Sequence, residues 1–262
     1  MAPVLAFVVT LLMAAVSMAA SLPRHEPHRE IKRIVGGEFA PNGMYRSTVH
    51  VSFMAGRRCG GVLISQNAVL TAGHCVSYNE TLALSIFAGS HVWNHSKALS
   101  VVTGIIHYSD FNKPQYHNDI AILKLGIPIP ESEFVSHAKV GKDEVSGDAR
   151  VTAVGWGSTT NATGPGVEKL RRVHLSVMDQ DKCAQAFKNQ TESPLKVVGK
   201  TMICAGEKGK GSCAGDDGSP LYAWGTDTVV GIASLGPTCG SDQAPAIYTR
   251  LSQYTLWISR NM

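Results

Sequence analysis

Short apolar runs separated by turn residues are the feature that most limits the fold of this chain. From residue 34 onward, runs rich in β-branched residues alternate with Gly, Asn, Asp and Ser, and the 26 glycines indicate many tight turns. Regular short strands of this kind predict an all-β sandwich or barrel. The predicted strands cover residues 48–53, 61–64, 68–71, 82–88, 120–125, 149–154, 172–177 and 228–232.

Helical periodicity is visible only near the C-terminus. Leu251, Tyr254 and Ile258 recur at the spacing of one helix face, which predicts a single amphipathic C-terminal helix. Residues 126–146 hold two prolines and four acidic residues with few strand signals. We interpret this stretch as a connector between two β halves.

The N-terminal 33 residues have the composition of targeting and processing segments. Residues 2–20 are apolar and end in small residues, which predicts a signal peptide over 1–20, although no Lys or Arg precedes the run. A membrane anchor is the alternative, because 19 residues could nearly span a bilayer. Residues 21–33 are polar and end in Lys32-Arg33, which indicates either a propeptide with a dibasic cleavage site or a plain N-terminal arm. The folded domain would then span 34–262 of a secreted, extracellular chain.

The cysteines and sequons agree with secretion. Six cysteines are an even number and predict three disulfides, for which fifteen pairings are possible. The cysteines and histidines do not follow zinc-site spacing, so we expect no metal. Four N-x-[ST] sequons predict a glycoprotein, with candidate sites at Asn79, Asn94, Asn161 and Asn189.

Charge and composition exclude two classes of protein. Hydrophobic residues make up 44% of the chain and charged residues 17%, which excludes a disordered, highly charged chain. The net charge of +4 comes without a basic run, so we expect no nucleic-acid partner.

Three sequence blocks carry candidate chemistry. His74 follows an apolar strand within Leu-Thr-Ala-Gly-His-Cys, and Asp119 begins the strand Asp-Ile-Ala-Ile-Leu. A histidine oriented by a buried carboxylate is the base half of a nucleophilic triad. The third block, residues 213–220, reads Cys-Ala-Gly-Asp-Asp-Gly-Ser-Pro.

In this order, and after Ile34-Val35-Gly36-Gly37, the blocks resemble the chymotrypsin-like (trypsin-like) secreted serine proteases. The resemblance covers residues 34–262 and includes Gly-Trp-Gly at 155–157. It implies two antiparallel six-stranded β-barrels, over 34–130 and 131–262, with the site in the cleft between them. It also implies the disulfides Cys59–Cys75, Cys183–Cys204 and Cys213–Cys239.

The resemblance assigns roles residue by residue. His74 matches the general base and Asp119 the carboxylate that orients it, while the N–H groups of Gly215 and residue 217 match the oxyanion hole. Cleavage between Arg33 and Ile34 would free an α-amine that pairs with Asp216. The specificity pocket matches Gly211, Ser234, Gly236 and Ala246, which indicates a slot for a small or medium apolar side chain rather than a basic one.

The departure is at the nucleophile. The family motif is Gly-Asp-Ser-Gly-Gly-Pro, whereas residues 215–220 read Gly-Asp-Asp-Gly-Ser-Pro, so Asp217 takes the nucleophile position and Ser219 that of a glycine. We therefore expect a proteolytically inactive, monomeric homologue that binds protein or peptide ligands, such as another protease or a protease inhibitor. The alternative is an active secreted endopeptidase. The family's calcium loop matches a stretch without acidic residues, so we expect no cofactor.

Overall fold

The computed structural model describes residues 36–54, 56–76, 84–111, 115–158, 166–188, 198–236 and 244–262. Several predicted features lie outside these residues. They are the signal peptide and propeptide, Arg33, Ile34, Cys239, and the sequons at Asn79, Asn161 and Asn189.

The described residues form fourteen strands and two α-helices. The strands are β1 (Glu38–Phe39), β2 (Thr48–Phe53), β3 (Arg58–Ser65), β4 (Ala68–Thr71), β5 (Leu84–Ala88), β6 (Ala98–His107), β7 (Ala121–Leu125), β8 (Lys139–Val140), β9 (Arg150–Gly155), β10 (Arg171–Val177), β11 (Met202–Gly206), β12 (Pro220–Ala223), β13 (Thr228–Leu235) and β14 (Ala246–Arg250). The helices are α1 (Gln180–Lys188) and α2 (Thr255–Asn261).

Twelve of the strands close into two six-stranded antiparallel barrels. The first barrel has the order β2-β3-β4-β7-β6-β5, and β5 pairs with β2 to close it. The second runs β9-β10-β11-β14-β13-β12, and β12 pairs with β9. The fold predicted from the family resemblance is confirmed, including the C-terminal helix α2.

The two short strands both join the second barrel. Strand β8 pairs with β13 in parallel, within the stretch that the sequence identified as a connector. Strand β1 precedes the first barrel in sequence but pairs with β10. Strand β1 therefore belongs to the sheet of the second barrel although it precedes the first in sequence, and the division at residue 130 stays a prediction.

The burial of side chains along the strands follows the position of each strand in its barrel. In β10 the residues alternate between buried and half-buried, and Val173, Leu175 and Val177 point into the core. In β4 every residue is buried, because the strand has neighbours on both faces. Strands β6, β11, β12 and β14 were not among the predicted strands.

Helix α1 corrects the expectation of a single helix. It is nine residues long, and Cys183 and Phe187 are buried four residues apart on one face. The carboxylate of Asp179 accepts hydrogen bonds from the N–H groups of Asp181 and Lys182, at 3.0 and 3.2 Å, and so caps the first turn. Two apolar positions in nine residues are too few for a periodicity that sequence alone can recognise.

The C-terminal helix packs on the first barrel. Tyr254 and Ile258 are buried in the same apolar cluster as the first-barrel core. Trp257 lies edge-on to Tyr108, with ring centroids 5.5 Å apart, and Lys124 donates a hydrogen bond to the carbonyl of Asn261. The end of the chain thereby holds the two barrels together.

Disulfides link Cys59 to Cys75 and Cys183 to Cys204, the pairs that the resemblance implies. The first joins β3 to the turn after β4, and the second joins α1 to β11. Cys213 is also disulfide-bonded. Its expected partner lies outside the described residues.

Gly60 lies at a close contact between the barrels. It lies in β3, and a Cβ there would overlap the Ser219 side-chain oxygen and lie 2.7 Å from the Ser219 Cα in the second barrel. The N–H of Gly60 also donates a 2.7 Å hydrogen bond to the carbonyl of Asp217. Only glycine permits this contact.

We predict that Gly60→Ala destabilises the protein by about 2 kcal/mol or more, because the added methyl group overpacks the contact between the barrels. Chemical denaturation would measure the loss. Gly104→Ala is the matched control, since a Cβ at Gly104 in β6 would meet its neighbours at 3.6 Å, an ordinary contact distance. Equal midpoints for Gly60→Ala and the unsubstituted protein would contradict the role given to Gly60.

Candidate active site

His74 and Asp119 meet at the cleft between the barrels. His74 lies in a 3-10 turn, Gly73–Cys75, directly after β4, and Asp119 lies just before β7. The Asp119 carboxylate accepts a hydrogen bond from the His74 main-chain N–H and contacts Nδ1 of the ring, each at 2.7 Å. Because the carboxylate holds both the backbone and the ring, the His74 ring has one orientation.

Residues of the second barrel donate further hydrogen bonds to Asp119. Its carboxylate is fully buried and accepts a 2.5 Å hydrogen bond from the hydroxyl of Ser234 in β13. Thr249 in β14 donates to the main-chain carbonyl of Asp119 at 2.7 Å. The sequence assigned Ser234 to the pocket, but its hydroxyl is engaged with Asp119.

The loop before β12 presents Asp217 to His74. Gly215 and Gly218 on either side have φ values of +90° and +79°, which favour glycine. The carbonyl of Asp217 accepts a hydrogen bond from the N–H of Gly60, and the N–H of Gly218 donates one to the carbonyl of Ala233 at 2.8 Å. The main chain at Asp217 is therefore fixed by both barrels.

The Asp217 side chain faces Nε2 of His74. Its Oδ1 lies 3.9 Å from Nε2, and 42% of the side chain is exposed. Burial raises the pKa of Asp217, and the charge of Asp119 raises it further, while His74 and the N–H groups of Gly215 and Asp217 lower it. The line Asp119–His74–Asp217 thus has a histidine between two carboxyl groups.

Ser219 is not placed for nucleophilic attack. Only 2% of the residue is exposed, and its hydroxyl has no hydrogen-bond partner among the described residues. It is packed against Gly60 and lies close to Gly155, on the inner side of the loop. A peptide in the cleft could not reach this hydroxyl.

Asp216 is buried behind the loop. Its carboxyl accepts hydrogen bonds from the N–H groups of Gly157 and Cys213, at 2.8 and 2.9 Å. A Cβ at Gly157 would lie 2.5–2.7 Å from the carboxyl atoms, so glycine is required there. No cation pairs with Asp216 within the described ranges, and burial raises its pKa to about 7.

The remaining pocket positions, Gly211, Gly236 and Ala246, carry no charged side chain. Gly211 and Ala246 are buried, and Gly236 is exposed. A Cβ at Gly236 would meet none of the described atoms within 4 Å. Beside the floor, the hydroxyl of Tyr248 donates to Ser212 at 3.2 Å. Gly211 itself has no side chain to pair with a basic group.

Tyr116 is a site residue that the sequence analysis missed. Its ring lies edge-on to the His74 ring, with centroids 5.4 Å apart, and its φ is 55°. Burial raises the pKa of Tyr116, and the charges of Asp119 and Asp217 raise it further. Its place three residues before Asp119 is the one signal in the sequence that could have pointed to it.

Within the part of the chain that the structure covers, no group of three or more His, Cys, Asp or Glu side chains is arranged to hold a metal ion. The same residues include no helix with the length and apolar character to cross a membrane.

Comparison with known proteins agrees with the geometry of the fold and site. The model of the family described as Trypsin matches residues 34–258. The chain belongs to the trypsin family. A trypsin from Phaedon cochleariae is 34% identical over 260 residues, covering 97% of each chain. The venom peptide isomerase heavy chain of Agelenopsis aperta is 29% identical over 245 residues, covering 87% of this chain and all of that one.

A solved structure shows the same architecture. Neuropsin, a serine protease expressed in the limbic system of mouse brain, superposes with a TM-score of 0.77 at 25% identity, over 86% of this chain and 98% of that one. Trypsin homologues are typically secreted, and the disulfides of this trypsin-family chain are consistent with that.

We predict that Asp216→Asn removes most of the loss of stability that the unsubstituted, uncleaved chain shows between pH 4 and pH 8. A folded pKa of about 7, against an ordinary value near 4, means that the folded state binds the extra proton between these pH values. The free energy of unfolding then falls as pH rises through this window, by up to about 1.4 kcal/mol per pH unit.

Urea unfolding between pH 4 and pH 8 would measure this slope. Asp216→Asn should flatten it, and the exposed Asp143→Asn should leave it unchanged. An unaltered slope in Asp216→Asn would show that this carboxyl is not the group responsible.

Proposed function

We propose that this trypsin-family protein is secreted, lacks proteolytic activity and acts by binding protein or peptide ligands in its cleft. The observation that carries the proposal is Asp217, whose carboxyl takes the nucleophile's place 3.9 Å from His74 Nε2. The ligand classes that suit a substrate-like cleft are another protease or a protease inhibitor.

A carboxylate at this position cannot replace serine in amide hydrolysis. If it attacked a peptide carbonyl, the adduct would collapse backward, because the carboxylate is a far better leaving group than the amine. Its charge would also oppose the negative charge that the oxyanion hole must stabilise. Loss of a triad nucleophile costs about 10⁶ in kcat.

The remainder of the site supports retained binding. The His74–Asp119 contact and the main-chain hydrogen bonds that fix the loop around Asp217 support a binding cleft, and Gly211 adds no charge to it. Cleavage after Arg33 would give Asp216 a cationic partner, the new amine of Ile34, and would couple processing to the shape of this surface.

A secreted chain can carry glycans on its surface, and one predicted sequon, at Asn94, lies within the described residues. Asn94 is exposed in the 3-10 turn Trp93–His95, and Ser96, the third residue of its sequon, follows the end of this turn. A glycan at Asn94 could project into solvent without disturbing the core. We propose Asn94 as an N-glycosylation site of the secreted chain, which we expect to be monomeric.

An active endopeptidase that prefers small or medium apolar residues is the second candidate. The observation that favours it is the intact base half of the site, with His74 and Asp119 in direct contact at 2.7 Å. It requires chemistry at Asp217 that the leaving-group argument opposes.

We predict that the chain cleaved after Arg33 does not hydrolyse a library of apolar peptides, whereas Asp217→Ser does, by at least about 10³-fold over background. Peptide release would be followed by mass spectrometry. Asp217→Ser combined with His74→Ala is the control that should be silent. Hydrolysis by the unsubstituted chain at a rate near that of Asp217→Ser would establish the second candidate instead.

We also predict a change of preference at the pocket. In the Asp217→Ser background, cleavage should follow small or medium apolar residues, because Gly211 supplies no charge. Adding Gly211→Asp should shift cleavage toward Lys and Arg, since a buried carboxylate pairs with a basic side chain. Cleavage after basic residues before that change would contradict the assignment of Gly211 to the floor.

A further inference from the structure

Two adjacent arginines lie at the start of the strand that meets the second barrel. Arg57 precedes β3 and Arg58 is its first residue, and both are exposed. Side chains two residues apart in a strand point to the same face, so Arg58 shares the face of Gly60, about 7 Å away along β3. At Gly60 this face contacts the loop that carries Asp217, because a Cβ there would lie 2.7 Å from the Cα of Ser219. The Arg58 side chain therefore leaves β3 beside the cleft.

Aromatic rings hold both guanidinium groups in place. The Arg58 Cζ lies 4.2 Å from the centroid of the Trp93 ring, and the Arg57 Cζ lies 4.1 Å from that of Phe53. Arg57 also donates a 2.9 Å hydrogen bond to the carbonyl of Cys75, which directly follows the histidine of the site. A guanidinium that stacks on a ring still presents N–H groups at its edge, where a carboxylate can accept two of them. Both positive charges are thus positioned next to the cleft.

Trp93 packs on a buried ring that carries no charge. It stacks on His50 of β2, with centroids 5.5 Å apart and an angle of 23° between the planes, and His50 meets the Trp156 ring edge-on at 5.9 Å. His50 is only 3% exposed, and burial together with the charge of Arg58 lowers its pKa to about 4. His50 is therefore neutral at physiological pH, and the rings under Arg58 form a neutral, packed platform.

The charge of Arg58 is not neutralised by its surroundings. Within the part of the chain that the structure describes, no carboxylate forms an ion pair with Arg58. Glu168 and Lys169 are exposed beside Trp93, whose main-chain N–H donates to the carbonyl of Glu168 at 3.2 Å, and their opposite charges leave the net charge unchanged. The surface formed by Arg57, Arg58 and Trp93, which we call the arginine rim, is therefore positive.

We infer that the arginine rim is a subsite that selects peptide or protein ligands with an acidic side chain close to the residue that faces Asp217. An extended peptide advances about 3.3 Å per residue, so the distance between Gly60 and Arg58 places the acidic residue about two positions away. Its carboxylate accepts N–H groups of Arg58 in a bidentate pair. This ligand class rests on the proposed binding function, and the experiment below separates the two.

The experiment measures, by isothermal titration calorimetry, the binding of capped peptides to the purified secreted chain. The parent probe is N-acetyl-Ala-Ala-Pro-Val-Ala-Ala-Ala-amide, and either Glu or its uncharged isostere Gln replaces one Ala at a time. At one position the Glu peptide should bind about threefold to tenfold more tightly than the Gln peptide at low salt. This ratio should fall toward one in about 1 M NaCl, because salt screens the charge pair.

Variants of Arg58 assign the preference to the rim. Arg58→Gln should remove the Glu-to-Gln ratio, Arg58→Lys should keep most of it, and Arg58→Glu should favour a Lys peptide instead. Each ratio is taken within one variant, so a general loss of stability cancels. Lys142→Gln, which removes an exposed positive charge in the loop after β8, should leave the ratio unchanged. Measurable binding with a ratio of one at every position, or a ratio that persists in Arg58→Gln, would overturn the inference.

A second readout separates the subsite from the proposed binding function. If the unsubstituted chain binds none of the peptides, the proposed function fails, and kcat/KM of Asp217→Ser on the same peptides then tests the subsite. A preference for Glu about two positions from the cleaved bond, lost on adding Arg58→Gln, would uphold the subsite alone. Cleavage without that preference would overturn the inference. A chain that binds no peptide and, as Asp217→Ser, cleaves none would overturn both.

Discussion

The buried carboxylate of Asp119 is the interaction on which the rest of the site depends. It carries a charge into the cleft between two barrels, and a buried charge is tolerated only where donors surround it. The first barrel supplies the N–H and the ring of His74, and the second supplies the hydroxyl of Ser234. Satisfying one carboxylate therefore fixes the positions of the barrels relative to the histidine.

The close contact at Gly60 extends this constraint to the loop that holds Asp217. A 2.7 Å hydrogen bond from Gly60 fixes the carbonyl of Asp217, and the side chain of that residue lies 3.9 Å from His74 Nε2. In a trypsin-family protein, a serine here would be directed at a substrate. Here that position carries the carboxyl of Asp217, 3.9 Å from His74 Nε2, which is why we propose binding rather than hydrolysis.

Much of the fold could be predicted from the sequence, and the exceptions have physical reasons. Strand β4 is recognisable in the sequence because all of its residues are buried, and burial selects the apolar run Ala-Val-Leu that begins it. Strand β6 has exposed residues such as Leu99 and Val101 and a glycine within it, so its pattern resembles no simple strand. Helix α1 has only two buried positions, and β1 is too short to predict its own partner.

The site, too, has features that the sequence alone determines and features that depend on the tertiary structure. The sequence by itself determined the chemical groups of the site, because it places an imidazole at residue 74 and carboxyl groups at residues 119 and 217, where the family motif has a serine at the last of these positions. Tertiary structure alone decided the surroundings: Ser234 on Asp119, Tyr116 against the His74 ring, and Ser219 buried out of reach. These contacts join residues far apart in the chain, and their distances follow from barrel packing rather than from any local pattern.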